Sequence, residues 1–303
     1  MVQSFKKTSM VISRMARDML TLDVGEQVPT VASYAEMFDV SRGIIQEAFS
    51  VLQEEKSISL LKRGVKGTVL MEKDMSRLFG LTEWNIIRGT MPTPINPYLR
   101  SLATAIVRQM ENKKIPFSFS YVMGGDRRSS QLDKQAYDFC VVSEHTALHA
   151  CAEYNSLEIA LQMAPCIYSM EYALFINKPN AAGIEDGMVV CLDSACYDQT
   201  QLSRRCASGR NVTFVENSAV TSTDLFRQKK FDALVTREGP WHEGMKDISI
   251  LPIPETIADK YPVLITNRNN YGIRRLLVKC LNVGDLFAIQ RQVLEDPSLE
   301  AFE

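Results

Sequence analysis

Apolar residues recur at helical spacing near the start of the chain. Val11, Met15, Met19 and Leu22 stand at i, i+4, i+8 and i+11, with Ile12, Ala16 and Leu20 beside them, which predicts a helix over 8–22. Gly25 ends that pattern and Pro29 opens a new one. Thr30 suits the N-cap of a short helix, Val31 to Phe38, and Ser41 that of another, Arg42 to Glu55. The latter has an apolar stripe, Ile45, Ala48, Phe49 and Leu52, opposite Arg42, Gly43, Gln46, Glu47, Ser50 and Gln53. Two short β-type runs follow, Ile58 to Lys62 and Thr68 to Met71, around the basic turn Arg63-Gly64-Val65-Lys66-Gly67.

From about Trp84 the pattern changes to alternating strands and helices. Strands are predicted over Ile86 to Met91, around Phe117, Phe119 and Tyr121, and over Phe139 to Val142. Helices are predicted over Tyr98 to Glu111 and His145 to Tyr154. Such alternation implies a mostly parallel sheet with helices on its faces. Tyr137-Asp138 with the run to Ser143 is echoed by Phe231-Asp232 with the run to Arg237, 94 residues later. Two similar lobes explain the echo; coincidence is the alternative, because a strand after a helix often looks alike. Ile167 to Asn177, with Met170, Tyr172 and Phe175, and Val263 to Thr266 are the two expected crossings between lobes, with a cleft at the hinge. The fold class is therefore α/β. A winged helix-turn-helix is expected over 1–72, a linker over 73–82 and a two-lobed domain over 83–303. Met75, Leu78 and Phe79 of the linker are candidates to pack between protomers.

Composition narrows the classes. A chain of 303 residues suggests about two domains. Hydrophobic residues at 46% and charged residues at 23% are an ordinary globular mix. No apolar run reaches the roughly 18 residues of a membrane span, and no h-region marks the start as a secretory signal. A cytoplasmic location is expected, and the seven scattered cysteines, without a C-x-x-C, suit reduced thiols. The 34 basic and 36 acidic residues leave a net charge of −2, which taken alone argues against a dedicated nucleic-acid binder. Residues 1–70 are hardly more basic, with nine cations against eight acids. Any DNA binding should then be weak per head, dimer-dependent and salt-sensitive.

The layout of residues 25–70 nevertheless suits DNA reading: a candidate recognition helix with a small, polar start, and a cationic wing. Gly25-x-x-Val28-Pro29-Thr30, Ala35-Glu36, Val40-Ser41-Arg42, Glu47-Ala48 and Gly67-Thr68 resemble the winged helix of the GntR class of bacterial regulators. The resemblance implies DNA binding. Candidate contacts are Thr30, Ser33, Ser41, Arg42, Gly43 and Gln46, with Lys62, Arg63 and Lys66 on the wing. Ala32 and Gln46 stand where that class often has Arg, and Ile44 where it often has Thr, so the usual operator is not implied. A winged helix used for dimerisation or protein contact is the alternative, and Glu47, Glu54 and Glu55 add negative charge to the same helix.

The C-terminal two-thirds resemble the type 2 periplasmic-binding-protein fold. Gly89-Thr90-Met91-Pro92 and the order of domains resemble the YhfZ-type transcriptional regulators. In such folds ligands sit where strand ends and helix starts converge. The candidate lining is Gly89, Thr90, Met91, Gly124, Gly125, Arg127, Arg128, Ser143, Glu144, Ser194, Glu216, Arg237 and Glu238. Arg127 or Arg128 can clamp a carboxylate or phosphate, unless these arginines only solvate a helix start. Glu144, Glu216 or Glu238 can take an amine. His145, His149 and Glu153 share a helix face without an H-E-x-x-H pattern, so no metal is expected. No P-loop or G-x-S-x-G elbow is present, and no cofactor is expected.

The expectation is a non-enzymatic regulator that binds double-stranded DNA as a homodimer, away from membranes, and senses a small anionic or amino-acid-like effector. The alternatives are an enzyme acting on such a metabolite, with the winged helix as a dimerisation adaptor and a perturbed titratable pair in its cleft, and a transport binding protein.

Overall fold

The computed structural model describes residues 2–64, 67–168, 172–253 and 261–301. The chain packs as two compact units. One comprises Met1–Ile87, Val107–Ser118 and Asn269–Asn282; the other comprises Arg88–Ile106, Phe119–Arg268 and Val283–Glu303.

In the first unit the chain runs α1 (Val2–Thr21), β1 (Gln27–Val28), α2 (Val31–Phe38), α3 (Arg42–Glu54), β2 (Ile58–Lys62), β3 (Thr68–Lys73) and α4 (Met75–Gly80). Thr30 caps α2, its Oγ1 accepting from Ser33 N at 3.1 Å. Asp39 ends that helix in the left-handed region at φ 52°, and Val40 N closes back onto Ala35 O at 3.0 Å. Val11, Met15 and Met19 of α1 and Ile45, Ala48 and Leu52 of α3 are all buried, so the two apolar stripes form the head's core. The antiparallel sheet β1-β3-β2 makes the wing.

The second unit holds two five-stranded sheets. Along the chain come β4 (Ile87–Met91), α5 (Pro97–Asn112), β5 (Phe117–Tyr121), α6 (Gly125–Asp133), β6 (Phe139–Ser143), α7 (Glu144–Glu153) and β7 (Leu157–Gln162). The second lobe then runs β8 (Tyr172–Ile176), β9 (Val189–Leu192), α8 (Tyr197–Cys206), β10 (Thr213–Glu216), α9 (Ala219–Arg227), β11 (Ala233–Arg237) and β12 (Ser249–Pro252). The chain returns through β13 (Pro262–Asn267), α10 (Ile273–Cys280) and α11 (Val283–Glu295).

The sheet orders are β5-β4-β6-β13-β7 and β10-β9-β11-β8-β12. The two-lobed α/β architecture holds, with each sheet mixed by one reversed strand. β4 pairs parallel with β6, and β9 pairs parallel with β10 and β11. β13 runs antiparallel to both β6 and β7, and β8 to both β11 and β12. These reversed strands are the ones by which the chain enters each sheet from the other lobe, arriving against the local strand direction. The expected crossing over Ile167 to Asn177 is a strand only at Tyr172–Ile176; Met170 lies outside the described residues.

The echoed segments are β6 and β11, the middle strands of the two sheets. Their aspartates do the same work. Asp138 Oδ2 accepts from Arg88 N at 2.8 Å and Asp232 Oδ2 accepts from Val189 N at 2.7 Å, each tying the neighbouring parallel strand. A second equivalence went unread in the sequence. Asn177, just past β8, donates to Phe226 O and Phe231 O; Asn267, at the end of β13, donates to Leu132 O and Asp133 O.

The expected boundaries at 72/73 and 82/83 differ from the packing. Within 73–82 the chain forms α4, whose Leu78 and Phe79 are buried inside the first unit, so neither is available to a second protomer. The stretch containing α10 also belongs to that unit, although it lies between β13 and α11 in the chain.

Candidate DNA-reading surface and ligand cleft

At the start of α3, Ser41, Arg42, Gly43 and Gln46 are exposed, as are Thr30 and Ser33 at the start of α2. The exposure follows from the helix period: Ile45, Ala48 and Leu52 turn inward, so the positions between them face out. Ser41 makes no side-chain capping bond, whereas Thr30 is committed to Ser33 N and presents less of its hydroxyl. Lys62 and Arg63 are exposed on the wing; Lys66 lies outside the described residues. Glu47 is exposed on the same helix and accepts from Thr8 Oγ1 at 3.4 Å.

The predicted ligand residues separate into groups. Gly124, Arg127, Ser194 and Glu216 converge on one pocket of about 290 Å³, with Met123, Asp193, Ala195, Asn217 and Ser218. Ser194 Oγ donates to Glu216 Oε2 at 3.3 Å. The others do not line that pocket. Gly89, Thr90 and Met91 are buried in β4, and a Cβ at Gly89 would stand 2.4 Å from the Phe139 ring, so close strand packing explains this glycine. Gly125 presses α6 onto Thr146. Ser143 is the N-cap of α7, accepting from Thr146 N at 3.2 Å. Glu144 pairs with Gln162 Nε2 at 3.4 Å, and Glu238 is exposed.

Arg128 and Arg237 occupy the inter-lobe seam instead. Arg128 donates to Val122 O at 2.7 Å and Tyr168 Oη at 3.0 Å. Arg237 lies over the ring of Tyr172, 4.1 Å from its centroid, and 5.8 Å from that of Tyr168. Burial pushes the Tyr168 and Tyr172 hydroxyls well above their ordinary values, keeping both protonated as donors.

The lobes touch through their helix starts. Asp126 N donates to Ala195 O at 3.2 Å, Thr146 Oγ1 donates to Asp198 Oδ1 at 3.1 Å, and His149 stacks on Tyr197 at 4.0 Å. A Cβ at Gly124, where φ is +88°, would stand 2.6 Å from Ala195 O. Beside this seam His145, Tyr172, Tyr197, Asp198, Gln201, Leu202 and Arg205 enclose about 160 Å³. Burial pushes the Asp126 carboxyl up to about 6; Asp198 and Asp193 add to the rise, while His149 and Arg128 oppose it. Sequence reading missed Asp126, Thr146, Tyr168 and Asp198. Asp126 was within reach, since it sits inside the Gly-Gly-Asp-Arg-Arg turn that drew attention to its neighbours.

Among the described residues no group of three His, Cys, Asp or Glu is placed to hold a metal, and no helix is long and apolar enough to cross a membrane. A helix-turn-helix domain profile matches residues 23–70, and the profile of the YhfZ C-terminal domain matches residues 74–302. The Escherichia coli (strain K12) protein YhfZ is 26% identical over 300 residues, covering 97% of this chain and 98% of its own. The crystal structure of YhfZ from Shigella flexneri superposes with a TM-score of 0.63 at 24% identity, over 76% of this chain and 98% of that one. The alkanesulfonate-binding protein SsuA from Xanthomonas axonopodis pv. citri, bound to MOPS, shares the fold with a TM-score of 0.55 at 15% identity, over 70% and 75% of the two chains. A helix-turn-helix head followed by a two-lobed, periplasmic-binding-protein-like domain, matched from residue 74 to 302, makes this chain a member of the YhfZ family.

Proposed function

We propose that the protein is a cytoplasmic, homodimeric transcription regulator whose two-lobed domain senses a small anionic or amino-acid-like metabolite. The observation that carries this reading is the pairing of two features in one chain. One is an exposed, cationic reading edge, Arg42, Gln46, Lys62 and Arg63, on a helix-turn-helix head. The other is a cleft of ligand size with Arg127 on its wall. The GntR-like motif residues support the DNA side, and the fold shared with binding proteins supports the ligand side. A single head with so few cations binds DNA weakly, so two heads joined in a dimer supply the effective concentration. The effector acts by binding one arrangement of the lobes better than another.

The test is a gel-retardation series with DNA flanking the protein's own gene, at rising salt. Retention at low salt that falls steeply with ionic strength supports the reading; no retention at any salt removes it. One observation favours an enzyme instead: the Asp126 carboxyl, pushed up to about 6 by burial, is the kind of perturbed group a catalytic cleft carries. Full recovery of any bound metabolite after prolonged incubation, followed by NMR, supports the sensor; turnover supports the enzyme.

A further inference from the structure

The start of α6 is completed by the other lobe. The first N–H groups of a helix have no partner within it, and a side chain at the N-cap ordinarily meets one of them. Gly124 holds that position in α6 and has no side chain to offer. The Asp126 amide donates instead to Ala195 O at 3.2 Å, in the turn between β9 and α8 of the second lobe. That turn is held by its own lobe. Asp193 Oδ1 accepts from Ala195 N at 3.1 Å, Asp193 O accepts from Cys196 N at 2.9 Å, and Gln199 Oε1 accepts from Asp193 N at 2.7 Å. These bonds fix where the Ala195 carbonyl sits without help from the first lobe.

The two surfaces fit each other closely at this point. A Cβ at Gly124 would stand 2.6 Å from Ala195 O and 2.9 Å from Ala195 Cβ. Two further contacts flank it. Thr146 Oγ1 on α7 donates to Asp198 Oδ1 on α8 at 3.1 Å, and both residues are buried. The His149 ring lies on that of Tyr197, with centroids 4.0 Å apart and planes 11° from parallel. All three contacts join α6 or α7 to the start of α8, and none of them requires a ligand.

We infer that the protein latches its own lobes shut, the Ala195 carbonyl occupying the α6 start that a ligand's oxyanion would otherwise take. A helix start receives an anion only while its N–H groups are free. An effector that leaves the latch closed therefore has the adjoining pocket of about 290 Å³, with Arg127 on its wall, and not the first turn of α6. A closed arrangement that is already populated also lowers the free energy the effector must supply, so opening the latch weakens effector binding by the fraction of chains that open. These two consequences rest on the sensor reading above; the latch itself does not.

The experiment is hydrogen exchange of the ligand-free full chain, read at single amides by fragmentation mass spectrometry. The Asp126 amide should be protected, because an N–H in the first turn of a helix is left to solvent once its cap departs. Asp198→Ala, a change in the other lobe, should speed its exchange about tenfold, the worth of one hydrogen bond to a carboxylate. Thr146→Val should do the same alone and add little to Asp198→Ala, since both changes remove one and the same bond. Amides of β6 and β9 should keep their parent rates; equal acceleration there means a loosened lobe and overturns the latch. His149→Ala with Tyr197→Ala makes the same cycle should the first pair not fold. An Asp126 amide that exchanges at the unprotected rate in the parent, or changes whose effects multiply independently across the lobes, also overturns the latch while leaving metabolite sensing in place.

Discussion

Asp18 accepts a 3.0 Å hydrogen bond from the hydroxyl of Tyr271, 253 residues further along the chain. Arg275 Nη1 reaches the same carboxylate oxygen at 3.2 Å. Burial raises the Asp18 carboxyl although Tyr271 and Arg275 both pull it down. Around this bond Arg17 Nη1 donates to Tyr271 O at 3.3 Å and Trp84 Nε1 donates to Asn270 Oδ1 at 3.0 Å. The stretch leaving β13, a strand of the lower-numbered lobe's sheet, is thus folded into the unit that holds the DNA-reading helices.

Tyr271→Phe removes the phenolic donor and keeps the ring against Phe38. The expected loss is about 1 kcal/mol, the usual net worth of such a bond. Faster hydrogen exchange of the α1 and α10 amides should accompany it. Unchanged exchange at both helices would remove this bond from the list of what holds them together.

Arg42→Ala should weaken DNA retention by about tenfold, as expected for one lost charged contact to base or phosphate. The slope of log affinity against log salt should also become shallower by about 1 if the contact is to a phosphate. Gel retardation at several salt concentrations measures both quantities.

Gly89→Ala should destabilise the protein by about 1–3 kcal/mol, the range for overpacking a filled core. The added methyl meets the ring of Phe139, which is itself fully buried and has nowhere to turn. Thermal unfolding compares the variant with the parent.

Gly124→Ala should act on closure. At φ +88° a side chain is strained, and its Cβ would collide with Ala195 O across the seam. Ligand affinity should fall by about tenfold or more, because a ligand that binds the closed arrangement must then overcome the clash. Titration with whichever small metabolite binds the parent provides the readout.

Asp126→Asn should stabilise the protein at pH 7.5 and do little at pH 4. The folded-state carboxyl is raised from 3.8 to about 6. Its contribution is therefore favourable below the ordinary value and is lost as pH rises through the folded one. Because solvent still reaches this group, the gain at pH 7.5 should be on the order of 1 kcal/mol. Melting curves across that window check the sign; a variant that is less stable at pH 7.5 contradicts it.

Local pattern was enough for the reading head. α2 and β2 fall at the residues expected from their caps and periods, because a helix stripe and an Asp39–Val40 turn are set within a few residues of chain. The two-lobe reading was legible for a similar reason: Asp138 and Asp232 each tie a neighbouring parallel strand, so the same local need left the same short pattern twice. Of the candidate ligand residues, Gly124, Arg127, Ser194 and Glu216 share one pocket, where strand ends meet helix starts. Glu144, Glu238 and Ser143 met that rule too, yet a pairing with Gln162, an exposed position and an N-cap account for them.

By itself the sequence determined the helices and hairpin of the head, several strands and helices of the first lobe, that two α/β lobes follow a winged helix, and which face of α3 points outward. Each of these depends on chain neighbours a few positions apart, where period and capping decide. Only the tertiary structure decided that α4 and α10 join the reading unit, that β8 and β13 run against their neighbours, and that Arg128, Tyr168, Asp126 and Asp198 share one seam. Those relations join residues tens to hundreds of positions apart, and what selects them is the burial and pairing of charge in three dimensions, which leaves no period along the chain.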